Sequence, residues 1–520
     1  MKNPYVRKAL AAGVMLSVAG GAFAQSSIEE VVVTSRKRAE SLQEVPISVT
    51  ALTEAQIEGA GIARPADFIS LIPNITLVDS ANVGDTQVSI RGIVSTRDAE
   101  STFAYVVDGV LVTNPNGFNE ELLDVSQIEV LKGPQGALYG RNAVAGAIIV
   151  TTNKPDGEAE AQVKVGVGNN NARTGSAVFS GALIEDELYG RFSISRRETD
   201  GFFSNVYLGR DDAVDYMEDT TVRGRLVWDA SDELTLDLRG GVSEVTAGAI
   251  NFNAVFAIPL FETVFNQPAY FTDVNKQDFI FSFNVPGENE QETVDFSLKA
   301  DWDTDGIDVT AILSYSDLQE YLLSDGTSAS FYGYEITDSC VADRATLNNM
   351  PAAIGGGGRE DLFGPFFAPF GVFPPGIGQE FAGVYGPYTP TSCDGYQYQE
   401  RNQTDTSFEL RLTSPDEGAT RWIAGIYGAE IERESIVAYG ADTGAGFLRQ
   451  SYVPPSGPNP TDLLFSDQFD TSVLAVFGQI EVDLSDTMEL AFAARYDREE
   501  RDITNQVPNV NSSGLNINAA

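Results

Sequence analysis

Residues 474–482 read LAVFGQIEV, with apolar side chains at the first, third, seventh and ninth positions. Because successive side chains of a β-strand point to opposite faces, this spacing predicts a strand with one apolar face. The alternation recurs in other segments, many of about ten residues, the length that a tilted strand needs to cross a bilayer. The other segments begin at Ala161, Leu188, Leu234, Val294, Ile307, Phe408, Trp422 and Met488.

The connections between these strands alternate between short and long from residue 183 onward. Outer-membrane barrels have short periplasmic turns and long external loops, whereas a soluble β-sandwich has no reason to keep every second connection short. The pattern therefore favours a transmembrane barrel, with the sandwich as the alternative. Short turns are predicted near 185–186, 229–232, 303–306, 414–418 and 483–486, and long segments at 199–218, 247–292, 318–402 and 432–470.

The composition excludes several classes of function. The 520 residues include 33 Lys and Arg, 75 Asp and Glu, and no histidine. The net charge of −42 disfavours nucleic acid as a partner, because phosphate binding draws on clustered cations. Without histidine, no Ser-His-Asp or Cys-His nucleophile and no HExxH zinc site can form. Catalysis by a carboxylate pair survives this exclusion, so a secreted carboxylate hydrolase stays an alternative.

The first residues have the pattern of a secretory signal peptide. Lys2, Arg7 and Lys8 precede an apolar stretch, which ends in the A-x-A cleavage pattern Ala22-Phe23-Ala24. We therefore predict a signal peptide at residues 1–24, with a short anchor helix as the alternative.

The two cysteines, Cys340 and Cys393, fall in one predicted long segment. In an oxidising exterior they are expected to form a disulfide inside that loop. Metal ligation by the two thiols is the alternative.

Residues 41–153 lack the long alternating strands and instead mix short strands, helices and glycines, which predicts a small α+β domain. Thr53-Glu54-Ala55-Gln56 fits a capping box that starts a helix. A second short helix is predicted to begin at Pro65, where proline suits the first helical position. Residues 105–112 predict a hairpin on an Asp-Gly turn, and residues 128–131 another strand.

Five motifs carry a resemblance to a known family. Three of them are Ile90-Arg91-Gly92, Val107-Asp108-Gly109-Val110 and the longest, residues 128–150, which contains Gly140-Arg141-Asn142-Ala143. The other two are residues 28–34 and 45–49, IEEVVVT and VPISV. In these motifs the chain resembles the TonB-dependent outer-membrane receptors. Lys132 stands where the family usually has arginine, and Ala145 and Ile149 replace a common glycine and asparagine.

The resemblance implies an α+β plug domain followed by an antiparallel transmembrane β-barrel of about 22 strands, of which the plug fills the lumen. The implied domains are the signal peptide at 1–24, the TonB box and linker at 25–40, the plug domain at 41–153 and a partial barrel at 154–520. About eleven strands are counted by residue 498, so we expect a barrel truncated to about half. Its strands should form an open, curled sheet with an unpaired last strand.

The resemblance also implies that the TonB protein adds as a strand to the box Glu29, Glu30, Val31, Val32, Val33 and Thr34. The residues support this independently, because the valines favour β-structure and no neighbouring strand is predicted to pair with them. The alternatives are a mobile tail and a first barrel strand.

Further site residues are predicted inside the plug domain. By resemblance, Arg91, Glu129 and Lys132 are expected to make plug–barrel contacts, and the alternative is that these charges are solvated in a water-filled lumen. The stretch 94–101, with Arg97 and Asp98, is a candidate ligand-binding tip. No catalytic residue and no metal site is expected.

The implied function is energised import across the bacterial outer membrane. A ferric siderophore is the default ligand by family frequency, and haem is disfavoured because histidine is absent. Vitamin B12, an oligosaccharide or another metal chelate stays open as ligand, and a passive porin stays open as another class. We expect a monomer with no covalently bound cofactor, whose partners are TonB with its proton-driven inner-membrane motor, outer-membrane lipid and a small-molecule ligand such as a ferric chelate.

Overall fold

The computed structural model describes residues 31–249, 280–326 and 395–507, with Thr263, Asn275 and Ala342 as isolated positions. Short gaps within these ranges lie at 35, 39, 44, 80–82, 97–98, 206–207, 282, 305, 416–417, 441, 443–444, 455 and 486. The signal peptide, Glu29, Glu30, Arg97, Asp98, Cys340 and Cys393 are outside the described residues. The chain forms two compact units, Met1–Pro46 and Ile47–Ala520.

In the first unit, strand β1 (Val32–Val33) pairs antiparallel with β2 (Glu40–Ser41). Val32 lies opposite Ser41 and Val33 opposite Glu40. The expectation that Val31–Thr34 has no strand to pair with is therefore wrong. A turn reverses the chain between the two strands: the Lys37 amide donates to the Thr34 carbonyl oxygen, and Arg36 Nη2 lies 2.7 Å from Glu40 Oε1.

The part of the predicted plug domain in the second unit, residues 47–153, is called the plug below. Its main sheet has the order β3-β9-β10-β7-β8, in which β10 and β7 are parallel and the other pairs antiparallel. A smaller sheet has the order β4-β5-β6. The strands are β3 (Val49–Thr53), β4 (Ile75–Asp79), β5 (Thr86–Ile90), β6 (Ile93–Val94), β7 (Phe103–Val107), β8 (Val110–Val112), β9 (Val125–Lys132) and β10 (Gly146–Thr152).

Two of the plug helices begin where the sequence predicts, whereas the short helix at Gly136–Tyr139 was not predicted. Helix α1 (Glu54–Ala60) has the capping box, in which the Thr53 amide donates to Gln56 Oε1 at 3.0 Å. Helix α2 (Pro65–Ile69) has Pro65 at its first position, and the Asp108-Gly109 turn joins β7 to β8. A 3-10 helix at Pro115–Asn119 and helix α3 (Gly136–Tyr139) complete the plug. Phe68, Ile90, Ile128 and Ile148 lie at the centre of its core.

The remaining long strands form one sheet, called the wall below. It has 11 strands, each antiparallel to its neighbours in chain order. They are β11 (Glu160–Val167), β12 (Arg173–Ile184), β13 (Leu188–Thr199), β15 (Met217–Ser231), β16 (Leu234–Ala247), β18 (Glu288–Asp303), β19 (Asp308–Asp325), β20 (Tyr396–Thr413), β21 (Thr420–Gly440), β22 (Thr461–Ser485) and β23 (Met488–Asn505). A separate pair, β14 (Ser204–Asn205) and β17 (Ile280–Phe281), is parallel.

The wall is open, as predicted: β11 and β23 are its edges, and within the described ranges they do not pair with each other. The five short turns are confirmed. The long connections are shorter than predicted, because β19 continues to Asp325 and β22 begins at Thr461. Alternation of apolar and polar residues marks a strand only where its two faces meet different surroundings, and it fades where both faces meet water.

The two faces of the wall differ in composition. One is apolar and exposed, as at Leu474, Val476 and Ile480, while Ala475 and Phe477 on the opposite face are buried. All three tryptophans, Trp228, Trp302 and Trp422, lie at strand ends next to short turns. Aromatic residues at the edge of an apolar band are typical of a strand that crosses a lipid interface. Among the described residues, no helix combines the length and apolar character that a membrane crossing requires.

Candidate functional site

The plug packs against the buried face of the wall, called the lumenal face below. From the plug, Ala104, Ala147, Ile149, Leu138 and Tyr139 contribute to this contact. From the wall, it includes Ile423, Tyr427, Ala429, Ile431, Val473, Ala475 and Phe477. Because Ala104 and Ala147 present only methyl groups, strands β7 and β10 can approach the wall closely. The contact is a buried apolar seam between plug and wall.

A buried cluster around Asp108 joins the plug to strands β15 and β16 of the wall. The Thr152 amide and hydroxyl donate to its two carboxylate oxygens at 2.9 and 2.7 Å. Arg239 Nη1 donates to Asp108 Oδ2 at 2.6 Å, and Arg225 Nη1 lies 3.7 Å from Oδ1. Arg225 also forms a bidentate pair with Asp237, at 2.9 and 2.7 Å. A buried charge is tolerated when it is paired and hydrogen-bonded, as Asp108 is here.

Further ion pairs cross the same interface. Arg191 of β13 holds Asp124 of the plug with two hydrogen bonds of 2.6 Å. Arg64 of the plug pairs with Asp219 of β15, and its Nη1 donates to the Asn119 carbonyl oxygen at 2.7 Å. The two hydrogen bonds between Arg191 and Asp124 fix the relative orientation of these side chains in addition to pairing their charges, because guanidinium and carboxylate are both planar.

Among the described residues, Arg91 and Lys132 make no ion pair with the wall, which corrects the expectation for these two cations. Arg91 is exposed in the turn between β5 and β6. Lys132 is buried at the end of β9, and its pKa is lowered by burial and then by the positive charge of Arg91. Other plug residues, among them Arg64, Asp108 and Asp124, make ion pairs with the wall.

Glu129 is 1% exposed in β9, where it lies opposite Ala51 of β3 and Ile149 of β10. Burial raises the pKa of the Tyr139 phenol, and the nearby Glu129 carboxylate raises it further. A contact between Glu129 and the wall stays a prediction.

One signal for the interface is present in the sequence. Arg191 lies between apolar residues of the strand predicted from Leu188, and Arg239 directly follows those of the strand predicted from Leu234, so both are expected on the face opposite the apolar residues. The sequence does not reveal their partners, since Asp108 and Arg239 are 131 residues apart.

Glu120 lies where the plug meets β15 and β18. Its pKa is raised to about 7, first by burial and then by the Asp295 carboxylate, while the charge of Arg223 acts in the opposite direction. The folded protein therefore holds more protons than the unfolded chain between about pH 4.5 and 7, and its stability falls as pH rises through that range.

We expect Glu120→Gln to stabilise the plug by about 1–3 kcal/mol at pH 8 and to have little effect near pH 4.5. Urea denaturation at the two pH values, followed by protease cleavage in residues 101–112, measures this. Glu158→Gln, at an exposed carboxylate, is the control. An equal effect of Glu120→Gln at both pH values would contradict the prediction.

A cavity of about 520 Å³ lies between the plug and the wall. Most of its wall residues come from the halves of β21 and β22 next to the long connection 441–460, and β20 and β23 add one residue each. The plug contributes Ala99, Glu100, Thr113 and Arg141. The wall contributes Gln403, Ile431, Arg433, Ser435, Phe465, Asp467, Phe469, Thr471 and Arg501. The predicted tip residues Arg97 and Asp98 are not described, but the residues that follow them in the chain line this cavity.

Comparison with known proteins gives two family matches. Residues 41–147 match the TonB-dependent receptor plug domain, and residues 247–518 match the TonB-dependent receptor-like β-barrel. The second match alone covers more than half of the 520 residues.

Curated relatives align over a part of their length. The pesticin receptor of Yersinia pestis is 29% identical over 35% of this chain and 27% of its own length. The vitamin B12 transporter BtuB of Vibrio vulnificus is 32% identical over 34% of this chain and 28% of its own. The alignments thus span under a third of these relatives.

A solved structure shares the fold. The ferric yersiniabactin uptake receptor FyuA from Yersinia pestis superposes with a TM-score of 0.63 at 16% identity, over 88% of this chain and 61% of that one.

Proposed function

We propose, from the premise that this chain belongs to the TonB-dependent receptors, that it takes part in the energised import of a scarce ligand across the bacterial outer membrane. The observation that carries the proposal is the buried apolar seam between the plug and the lumenal face of the wall. A plug seated there blocks passive flow, so that passage requires work on the plug. This disfavours a passive porin.

The same interface disfavours a carboxylate hydrolase. The buried carboxylate of Asp108 pairs with Arg239, which stabilises its charged form instead of preparing a proton donor. Asp124 and Asp219 also pair with arginine. The family consists of receptors and transporters. We therefore propose a transport role without catalysis.

A ferric siderophore is the ligand class that we propose. The fold of the ferric yersiniabactin receptor supports this choice, while the vitamin B12 transporter among the relatives supports the principal alternative. An oligosaccharide or another metal chelate is the remaining alternative. The absence of histidine argues against haem.

For energy coupling we propose TonB as the partner, bound at residues 29–34 by strand addition. Strand β1 pairs with β2 over two residues only, so little backbone pairing opposes an incoming strand. We further propose export by the signal peptide, residence in the outer membrane and a monomeric state. The exposed apolar face of the wall supports contact with lipid.

Val32→Pro tests the coupling. Proline removes the amide donor at 32, so we expect uptake to fall to the background of cells without the receptor. Cells that express the complete gene are supplied with a panel of labelled ferric siderophores, and uptake is counted. Val32→Ile retains the donor and the β-preference, and serves as the control at equal receptor amounts in the outer membrane. Unchanged transport by Val32→Pro would refute the energised role.

A further inference from the structure

Four charged side chains meet at one side of the cavity. Glu100 and Arg141 come from the plug, and Glu499 and Arg501 come from β23. Arg501 Nη2 lies 3.0 Å from both Glu100 Oε1 and Glu499 Oε1. Arg141 Nη2 lies 3.2 Å from Glu100 Oε1 and 3.8 Å from Glu499 Oε1. Glu100 therefore bridges an arginine of the plug and an arginine of the wall.

The donors of Arg141 are incompletely used. Its side chain is 11% exposed, and its Nε and Nη1 atoms have no hydrogen-bond partner among the described residues. A guanidinium has five N–H donors, and a buried donor without an acceptor carries a free-energy cost. An additional acceptor close to Arg141 would remove that cost.

The cavity also has an apolar side, formed by Ile431, Phe465 and Phe469. The Phe465 and Phe469 rings are half-buried, so a flat apolar group can stack on them. Arginines on one side and aromatic rings on the other suit a compound with an acidic group attached to an apolar body.

We propose that Glu100 is an internal anion on the Arg141–Arg501 pair, and that the ligand binds by replacing it with a carboxylate- or phosphate-type group next to an apolar or aromatic body. This inference rests on the proposed function, because it specifies the chemistry of the imported ligand. It also assigns a consequence to binding: when Glu100 leaves Arg501, the plug loses its ion pair with β23 at this point.

Binding of small probes to the purified full chain in detergent tests the inference by calorimetry. The probes share one ring system: 2-naphthoate and 2-naphthyl phosphate are anionic, 2-naphthamide is neutral and 2-naphthylmethylammonium is cationic. We expect the anions to bind at least about tenfold more tightly than the other two, since charged hydrogen bonds to arginine are the stronger ones. Equal binding of the neutral or cationic probe would overturn the proposal.

The variants are expected to change the affinity for the anionic probes in opposite directions. Arg141→Gln and Arg501→Gln should each weaken anion binding about tenfold, whereas Glu100→Gln should strengthen it several-fold, because the internal competitor is lost. A gain of affinity cannot come from misfolding, so Glu100→Gln remains decisive if an arginine variant fails to fold. Arg498→Gln is the control, since Arg498 lies on the same strand, is 69% exposed and pairs with Glu500. Weaker binding by Glu100→Gln would identify the cluster as structural and overturn the inference.

The assay contains no TonB, which separates the two proposals. The expected binding pattern together with failed uptake in cells would remove the proposed function and leave the anion site. Uptake that depends on Val32, together with equal binding of the anionic, neutral and cationic probes, would support the proposed function and remove the anion site.

Discussion

Asp108→Asn is expected to destabilise the docked plug by about 3–5 kcal/mol, because removing one partner of a buried ion pair leaves the other charge uncompensated. Arg239 and Arg225 would then face an uncharged amide. Asparagine is the informative substitution, since Asp108 has φ of 49° and asparagine tolerates this left-handed conformation. The effect can be measured as faster amide hydrogen exchange in β7 and β10.

Glu58→Gln is the matched control. Glu58 also pairs with a wall residue, Lys164, but both side chains are about half exposed. Removing this pair should change stability by no more than about 1 kcal/mol. Equal rates of hydrogen exchange in Asp108→Asn and Glu58→Gln would show that the buried Asp108 cluster stabilises the docked plug no more than an exposed ion pair does.

The Asp108 effect should also depend on pH. Burial raises the pKa of Asp108, but the charges of Arg239 and Arg225 and the hydrogen bonds from Thr152 outweigh it, so the net pKa lies below the usual value. A carboxylate with a lowered pKa stabilises the folded state above its unfolded pKa, and that contribution is lost as pH falls through the folded pKa. The difference between the wild-type chain and Asp108→Asn should therefore shrink in acid.

Gly140→Ala is expected to cost about 2–4 kcal/mol of plug stability, from backbone strain and from displacement of Arg495. Gly140 has φ of 75° and ψ of −127°, which side-chain-bearing residues rarely adopt. A Cβ atom there would lie 2.5 Å from Arg495 Cζ. The Arg495 guanidinium in turn lies over the rings of Tyr427 and Phe477, at 5.6 and 5.4 Å from their centroids. Limited proteolysis during a urea series measures the loss.

Gly136→Ala is the control for replacing a glycine by alanine where neither strain nor a close contact results. Gly136 begins the same short helix, and a Cβ there meets nothing within 4 Å, so alanine should be neutral or stabilise by up to about 1 kcal/mol. Gly140→Ala combined with Arg495→Ala separates the two causes, because the double variant keeps the strain and removes the contact. If Gly140→Ala behaves like Gly136→Ala, neither cause operates.

The fold was predictable where one face of a strand is apolar and exposed. Leu474, Val476 and Ile480 alternate with smaller or polar residues, and that period identifies the strand without further information. The same strand β22 continues upstream to Thr461, where polar and apolar residues occur on both faces. No periodic signal remains there, so the sequence assigns those residues to a loop.

The site was less predictable, because its residues are far apart in the chain and come together only when the plug packs against the wall. The family motifs pointed to Arg91 and Lys132, whereas other plug residues, among them Arg64, Asp108 and Asp124, make ion pairs with the wall. Glu100 and Arg501 are 401 residues apart, and no local pattern connects them. The β1–β2 pairing was missed for a different reason, since two residues are too few to produce a period.

The positions of the three tryptophans have a practical consequence. Trp228, Trp302 and Trp422 all lie in the wall next to the short turns. In the proposed outer-membrane location they share one membrane boundary, so the ultraviolet emission of the indoles would report a single depth. Lipids that carry a quencher at different positions along the acyl chain can therefore measure where that boundary sits. A tryptophan introduced into the plug would be the first such fluorophore there, and its spectrum could be followed against a constant background.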